Sequence, residues 1–307
     1  MKIDVVIPNY NGLALLKENL PKVIESVNEY KGSVIIVDDC SEESEFKTLR
    51  DFIKKLENKN IILLRNERNL GFSSTVNRGV NNSNADFVVL LNTDVVPEND
   101  FLEAALRDLQ SDENLFGIGF MDKSIEDGKT ILRGRGVAFW EKGFLAHRRG
   151  EVDKTDTFWI SGGSSIVRRD LFKKLSGFDS LYDPFYWEDI DLSYRARKSD
   201  YSIKFQPESV VVHKHYEGSI KKNFSDFQIK ITAYRNQFIF LWKNISDPNL
   251  IISHIFWFPY HAIFAFLRFD IPFFLGFATA FMKLPAIMER RSIQKQLYKK
   301  QDKDLFN

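Results

Sequence analysis

Three carboxylates, Glu188, Asp189 and Asp191, fall within four residues. They end the aromatic approach Phe185-Tyr186-Trp187 and open a helical pattern that continues through Arg195 and Arg197. A carboxylate within hydrogen-bond reach of a substrate hydroxyl can take its proton. Acids opening a helix also have a plainer use, as partners of its positive end. Three other places carry related chemistry. In VVDDCS, Asp38 or Asp39 can accept hydrogen bonds from a base N–H or from ribose hydroxyls; the plainer use is turn or N-cap chemistry by Asp39 or Ser41. In NTD, Asn92 and Asp94 put two oxygen side chains one residue apart. That spacing can hold a hard divalent cation bridging a diphosphate, with phosphate and water completing the shell. His213 and His215 end a β-branched run; a neutral imidazole suits Mn²⁺ better than Mg²⁺, although a strand-end histidine is also a common structural residue.

These groups need a frame that brings them together. Val5-Val6-Ile7, 34–37, 61–64 and 87–91 read as continuous apolar strands, and they alternate with helical patterns over 13–27, 46–56 and 72–80. Pro21 is expected to break or restart the first helix. Strands of this kind alternating with helices predict an α/β fold, a parallel sheet covered on both faces. Ligands of such sheets bind beyond the carboxyl ends of the strands, where NYNG, DDCS and NTD all fall. Farther on, RGRGVAFWEKGF suggests a hairpin. SGGSSIVRRDLFKKLSGFD reads as a Gly-rich turn followed by a helix stopped at Gly177, and YSIKFQPESVVVHKHYEGS as two short strands ending in the two histidines.

The chain has 307 residues, ample for a sizeable core. Its 43 basic and 42 acidic residues give a net charge of +1, so no global basic field argues for nucleic acid. Its one cysteine, Cys40, excludes an intrachain disulfide and suits a reducing compartment. The apolar run at the start is too short for a signal peptide and contains Asp4, so the N-terminal part is expected in the cytoplasm. The last third differs in composition. No Asp, Glu, Lys or Arg occurs from Pro248 to Leu267, a second apolar run covers Ile271 to Met282, and the basic ERRSIQKQLYKK follows. Interfacial helices or a shallow hairpin on an anionic membrane surface fit this pattern best; a buried helical layer and a true span are the alternatives.

Several motifs are absent. Gly128-Lys129-Thr130 lacks the glycine that a phosphate loop needs at position 123, which is Lys. There is no G-x-G-x-x-G after the first strand, no H-E-x-x-H, no C-x-x-C and no G-x-S-x-G. What is present comes in a recognisable order: VVIPNYNG, IIVDDCS, NERNLGFSSTVNRG, VVLLNTDVVP, SGGSSIVRRDLF, GFD, FYWEDIDLSYRARKSDY and VVVHKHYEGS. Over about residues 3 to 219 the chain resembles the family 2 nucleotide-sugar glycosyltransferases. It is most similar to the non-processive bacterial branch with rhamnosyl- and galactofuranosyl-transferase-like members.

The resemblance implies a GT-A fold, a Rossmann-like and mostly parallel sheet, over 1–220; the apolar runs and basic flank beyond it point to a helical, membrane-associated segment over 221–307. It implies that Pro8, Tyr10 and Asn11 line the nucleotide pocket, that Asp39 or Asp38 reads the base, and that Asn69, Gly71 and Asn77 shape its floor. Asn92 and Asp94 stand where the family has D-x-D. Asp94, with His213 or His215, would then hold Mn²⁺ or Mg²⁺. Gly162 and Gly163 would allow close approach of sugar or acceptor. Asp189 stands at the family's base, with Glu188 and Asp191 as supports or acceptor contacts. The implied reaction is inverting, metal-dependent transfer of one sugar from a UDP-, dTDP- or GDP-sugar to a glycan or lipid-linked glycan; the alternative, for which Asn92 in place of the first acid speaks, is a catalytically inactive nucleotide-binding membrane scaffold of the same fold. The implied place is the cytoplasmic face of the cell membrane. The processive Q-x-x-R-W is missing, and YRNQFIFLW occupies the comparable region.

Overall fold

The computed structural model describes residues 1–126, 128–213 and 224–306. The first half alternates β1 (Ile3–Asn9), α1 (Leu13–Val27), β2 (Val34–Asp38), α2 (Glu43–Lys55), β3 (Ile61–Arg65), α3 (Phe72–Asn82) and β4 (Phe87–Leu91). The four strands are parallel in the order β3-β2-β1-β4. All of β2 and β4 and nearly all of β1 are buried, as strands covered on both faces must be. Leu16, Leu20 and Val23 of α1 and Leu49 of α2 pack on one face; Val76 and Val80 of α3 pack on the other. Helix α1 runs unbroken through Pro21. Pro21 and Lys17 are on the exposed side, so the carbonyl deprived of its N–H partner can be met by water and the helix need not stop.

Beyond β4 the sheet is mixed. Strand β5 is Val95–Pro97, α4 Glu103–Ser111, β6 Leu115–Glu126 and β7 Lys129–Arg133. The hairpin β8 (Gly136–Glu141) and β9 (Phe144–Arg149) stands off the main sheet. It turns at Lys142-Gly143, both with positive φ, as a two-residue hairpin of the favoured hand requires. Then come β10 (Ser164–Arg168), α5 (Arg169–Lys174), α6 (Glu188–Lys198) and β11 (Ser202–His213). The sheet continues β4-β10-β6-β11-β5, with β10 antiparallel to both neighbours. Residues 202–213 form one strand, not two. Pro207, which has no N–H for the ladder, sits in the register shift between Gln206 and Val210.

The helical tail comprises α7 (Asp226–Asn244), α8 (Pro248–Leu267), α9 (Ile271–Met282) and α10 (Leu284–Lys295). The expected boundary at 220/221 lies outside the described residues, and α7 is already part of the core around α6. Phe240 meets Trp187 and Tyr194 at ring separations of 5.2 and 5.1 Å. Phe238 stacks edge-on with Phe273 and Phe277 of α9. Helix α8 is long and apolar enough to cross a membrane, yet only 6% of it is buried, and α9 and α10 meet at a 64° bend.

Candidate active site

At the carboxyl edge of the parallel strands, Asn9 of β1 is in register with Asp38 of β2. Asp38 is wholly buried and accepts from Asn9 Nδ2 (2.8 Å), Ser41 Oγ (2.6 Å) and the Ser41 N–H (3.1 Å). Its expected role as a base reader is therefore corrected: with no face open, Asp38 ties two strand ends together. Asp39 accepts from Asn66 Nδ2 and from the N–H groups of Leu70 and Gly71, at 2.7, 2.8 and 2.9 Å. It curls residues 66–71 under the edge and keeps a 5% opening to solvent. Asn11 takes a positive φ of 50°, donates its N–H to Ser41 Oγ (2.8 Å) and accepts from the Glu42 N–H (3.0 Å). Tyr10 is exposed and Pro8 half-buried at the same edge.

The segment below is held by hydrogen bonds of its own. Asn69 accepts from the Gly71 N–H at 3.2 Å. Gly71 has φ 86°, and a Cβ there would lie 2.7 Å from the Asp183 carboxyl carbon. That carboxylate receives the Ser73 N–H (3.0 Å) and Ser74 Oγ (3.1 Å) at the start of α3. Burial raises Asp183 to a pKa of about 6. The Asn77 amide donates to the Phe178 carbonyl (2.7 Å) and accepts from the Phe178 N–H (2.9 Å), pinning the Gly177 turn to α3.

Strand pairing assembles the metal-side group. His213 of β11 is in register with Val95 of β5, which puts its Nε2 3.3 Å from Asp94 Oδ2, while its Nδ1 lies 2.8 Å from Asp122 Oδ2. Burial alone would lower the His213 pKa, but the hydrogen bonds and charges of Asp122 and Asp94 outweigh it and raise it to about 9. Asp122 was not anticipated from sequence. Its signal was an acid inside the apolar run of β6, and its place behind a candidate ligand is the usual carboxylate–histidine arrangement that orients the ring. Among the described residues no three His, Cys, Asp or Glu side chains converge on one point, because Asp122 stands behind His213 rather than beside Asp94. One carboxylate and one imidazole at that spacing still fit a divalent cation shared with substrate phosphates and water. His215 lies outside the described residues. Asn92 donates its N–H to the Gly163 carbonyl at 3.0 Å, and a Cβ on Gly163 would sit 2.3 Å from Asn92 Nδ2. The close approach that Gly163 permits is that of Asn92.

The acidic cluster is reached through Tyr186 and Trp187, both with positive φ (71° and 76°). This strained pair is held from behind by Asn236 of α7, whose amide lies 2.8–2.9 Å from the carbonyls of Tyr182, Phe185 and Tyr186. Asp189 is half-buried. Burial raises its pKa to about 6, against the pull of hydrogen bonds from the Ile190, Gly162 and Asp189 N–H groups. The Gly162 contact carries Asp189 to the Gly163–Asn92 junction, so the acidic cluster and the Asn92–Asp94 loop share one edge. Glu188 is 8% exposed, and its Oε2 has no hydrogen-bond partner. Burial and then repulsion by Asp189 push its pKa well above the carboxylate range.

Asp191 is a correction. It is wholly buried, accepts from Tyr182 Oη (2.8 Å) and Asn244 Nδ2 (2.7 Å), and pairs with Arg195 Nε and Lys243 Nζ, both at 2.7 Å. Burial alone would raise its pKa, yet Arg195 and Lys243 hold it down at about 2. It fastens α6 to α7 and cannot touch an acceptor.

The sheet order, the paired strand-end groups and the acids at the mouth of α6 define a GT-A glycosyltransferase architecture. The sequence agrees: residues 4–176 match the family described as "Glycosyl transferase family 2", and the chain belongs to that family. It is 23% identical over 252 residues to a hyaluronan synthase of Pasteurella multocida, covering 73% of this chain and 25% of that protein. It is 25% identical over 181 residues to an N-acetylglucosaminyl-diphospho-decaprenol L-rhamnosyltransferase of Mycobacterium tuberculosis, covering 50% and 59%. The chain thus spans a quarter of the first relative's length and under two thirds of the second's. The crystal structure of GalNAc-T7 with UDP, GalNAc and Mn²⁺ superposes with a TM-score of 0.65 over 79% of this chain and 48% of that one, at 17% identity, a likeness of fold.

Proposed function

We propose that the protein transfers a single sugar, with inversion, from a nucleotide-diphospho-sugar to a hydroxyl of a lipid-linked glycan in surface-polysaccharide assembly. The observation that carries the reading is the meeting of Asp189, through Gly162 and Gly163, with the Asn92–Asp94 loop at one sheet edge. Asp189 takes the proton of the acceptor hydroxyl as that oxygen bonds to the anomeric carbon, and the bond from that carbon to the diphosphate oxygen breaks on the opposite face. With a pKa near 6, Asp189 is ionised at neutral pH and still basic enough to receive the proton. Asp94 and His213 would hold Mn²⁺ or Mg²⁺, which neutralises charge on the departing diphosphate. Support for the metal comes from the Mn²⁺ and UDP in the GalNAc-T7 crystals, and for the lipid-linked acceptor and the rhamnosyltransferase-like branch from the decaprenol-linked substrate in the mycobacterial relative's name.

A membrane surface on the cytoplasmic side is the proposed place of work. Ile252, Ile255, Phe256, Ile263, Phe266 and Leu267 of α8 are each at least 60% exposed, a larger apolar face than a soluble monomer normally leaves open. Two measurements test the proposal. Purified protein is screened for product release and thermal shift with UDP-, dTDP- and GDP-sugars in Mn²⁺, Mg²⁺ or EDTA. Asp189→Asn should abolish turnover while leaving donor binding intact; turnover surviving in that variant, or no nucleotide-dependent shift in folded wild type, refutes the catalytic reading. Co-sedimentation with anionic vesicles that survives Phe256→Asp/Phe266→Asp unchanged refutes the membrane face.

A further inference from the structure

A cavity of about 400 Å³ lies inside the helical tail, within the range of about 300–1,000 Å³ common for small-molecule sites. Helix α7 contributes Trp242 to its wall, α9 and α10 contribute Phe281, Leu284 and Met288, α8 contributes Ile251, and the β8–β9 hairpin contributes Trp140. The wall is apolar apart from His254 and Arg291. His254 is already committed: its Nδ1–H donates to the Gly143 carbonyl (2.8 Å), which leaves Nε2 to accept from Trp242 Nε1 at 3.3 Å. Arg291 donates through Nη1 to the Trp242 and Lys243 carbonyls at the end of α7 (2.8 and 3.3 Å).

Two features indicate the occupant. Phe281, Met288 and Ile251 line the cavity and are also 58%, 44% and 36% exposed, so the cavity wall runs without a break into the bare apolar surface of the tail. Arg291 of α10, a half-buried residue of the cavity wall, stands in the basic run that follows α9, an arrangement suited to a phosphate beside an apolar slot. Position separates this site from the chemistry. Asn236 and Phe240 of α7 face Tyr182–Trp187 and the acids, whereas Trp242 faces the cavity.

We propose that this cavity binds one hydrocarbon chain of an anionic membrane phospholipid, its phosphate at Arg291, and that this lipid is held as a bound component of the tail, taking no part in the transfer. The inference rests on the membrane-facing reading of α8. It predicts a defined lipid stoichiometry, which a merely greasy surface does not.

The test uses the full chain, reconstituted with vesicles of phosphatidylcholine and phosphatidylglycerol and then stripped by mild detergent, with retained phospholipid counted by native mass spectrometry. Wild type should keep about one phosphatidylglycerol per chain. Leu284→Trp and Ile245→Phe, which fill the slot from α10 and from the end of α7, should each lower retention at least tenfold while vesicle co-sedimentation changes less than twofold. Far-UV circular dichroism and melting temperature establish that each variant is folded, and the milder filling keeps the test valid if the larger one is not. Vesicle binding without retained lipid, retention unchanged in both folded variants, or selective retention of an added prenyl phosphate would each overturn the assignment. Retained lipid in a protein that does not sediment with vesicles would instead sink the membrane reading and leave the cavity's ligand standing.

Discussion

Replacing Asp191 by Asn should remove stability and leave the chemistry. Its carboxylate receives a phenol, an amide, a guanidinium and an ammonium, all within 2.8 Å and none open to water. Asparagine keeps the shape but turns an NH₂ toward one of these donors and cancels the charge between Arg195 and Lys243. Breaking a buried pair from one side costs about 3–5 kcal/mol. The lower end applies, because Lys243 retains Asp179 at 2.7 Å and Arg195 retains the Leu175 and Gly177 carbonyls. At about 2–4 °C per kcal/mol for domains of about 150–250 residues, a loss of about 3 kcal/mol lowers the melting temperature by roughly 6 °C or somewhat more. The pH dependence gives a second handle. A carboxyl depressed from 3.8 to about 2 contributes stability that is present above its unfolded pKa and disappears as pH falls through its folded one. The contribution is about 2 kcal/mol, lost between about pH 4 and pH 2. Differential scanning fluorimetry from pH 2 to 7 should show wild type losing this increment and the variant lacking it. Turnover should persist when assayed well below the variant's melting temperature. A variant that melts within about 2 °C of wild type yet has lost turnover would refute the argument and restore Asp191 to the catalytic group.

Other expectations follow from the same geometry. In wild type kcat/KM should rise about tenfold per pH unit up to about pH 6 and then level off, because Asp189 must be ionised to act; a flat profile between pH 5 and 7 would remove it as the base. Asp122→Asn should weaken Mn²⁺-dependent nucleotide binding by about 10–100-fold in calorimetry, by releasing the ring of His213, and unchanged affinity would sever that link. Gly163→Ala should displace Asn92, whose amide nitrogen lies 2.3 Å from the new Cβ, and lower kcat/KM by up to about a hundredfold with little change in melting temperature. Asp302 is wholly buried between Lys198, Tyr194 and the Ser246 and Asp247 N–H groups. Asp302→Ala should cost about 3 kcal/mol, read by urea unfolding.

The parallel half of the fold was legible because its signal is local. Runs such as Val34–Val37 and Phe87–Leu91 are apolar throughout, and the groups that end them fall at one edge whatever the fine geometry. What was not legible depends on partners far along the chain. Nothing near Asn77 announces that its amide will clamp Phe178, 101 residues away. Nothing near Asp38 announces that Asn9, from the neighbouring strand, will donate to its carboxylate. Asn236, which braces the Tyr186–Trp187 turn, lies in a helix that reads from sequence as the start of a separate tail. The unbroken β11 was hidden by Pro207, which in isolation argues for a strand end and in the sheet marks only a bulge.

The run Glu188-Asp189-Ile190-Asp191 shows the same limit at the smallest scale. At about 100° per residue, Asp191 projects roughly 200° around α6 from Asp189, so the two carboxyls face opposite sides of one turn. On one side burial raises the pKa to about 6, against the pull of the Ile190 and Gly162 N–H groups. On the other stand Arg195 and Lys243, and it falls to about 2. Two acids of one type, two residues apart, are pushed in opposite directions by surroundings their spacing does not encode, and environments that split pKa values in this way separate the roles of paired acids. The side of the helix that lowers the pKa needs a cation on α7, and the side that raises it needs that cation kept away. Lys243 and Asn236, about two turns apart on α7, are therefore as much determinants of the proposed site as the acids themselves: one neutralises Asp191, the other fixes the turn from which Asp189 projects.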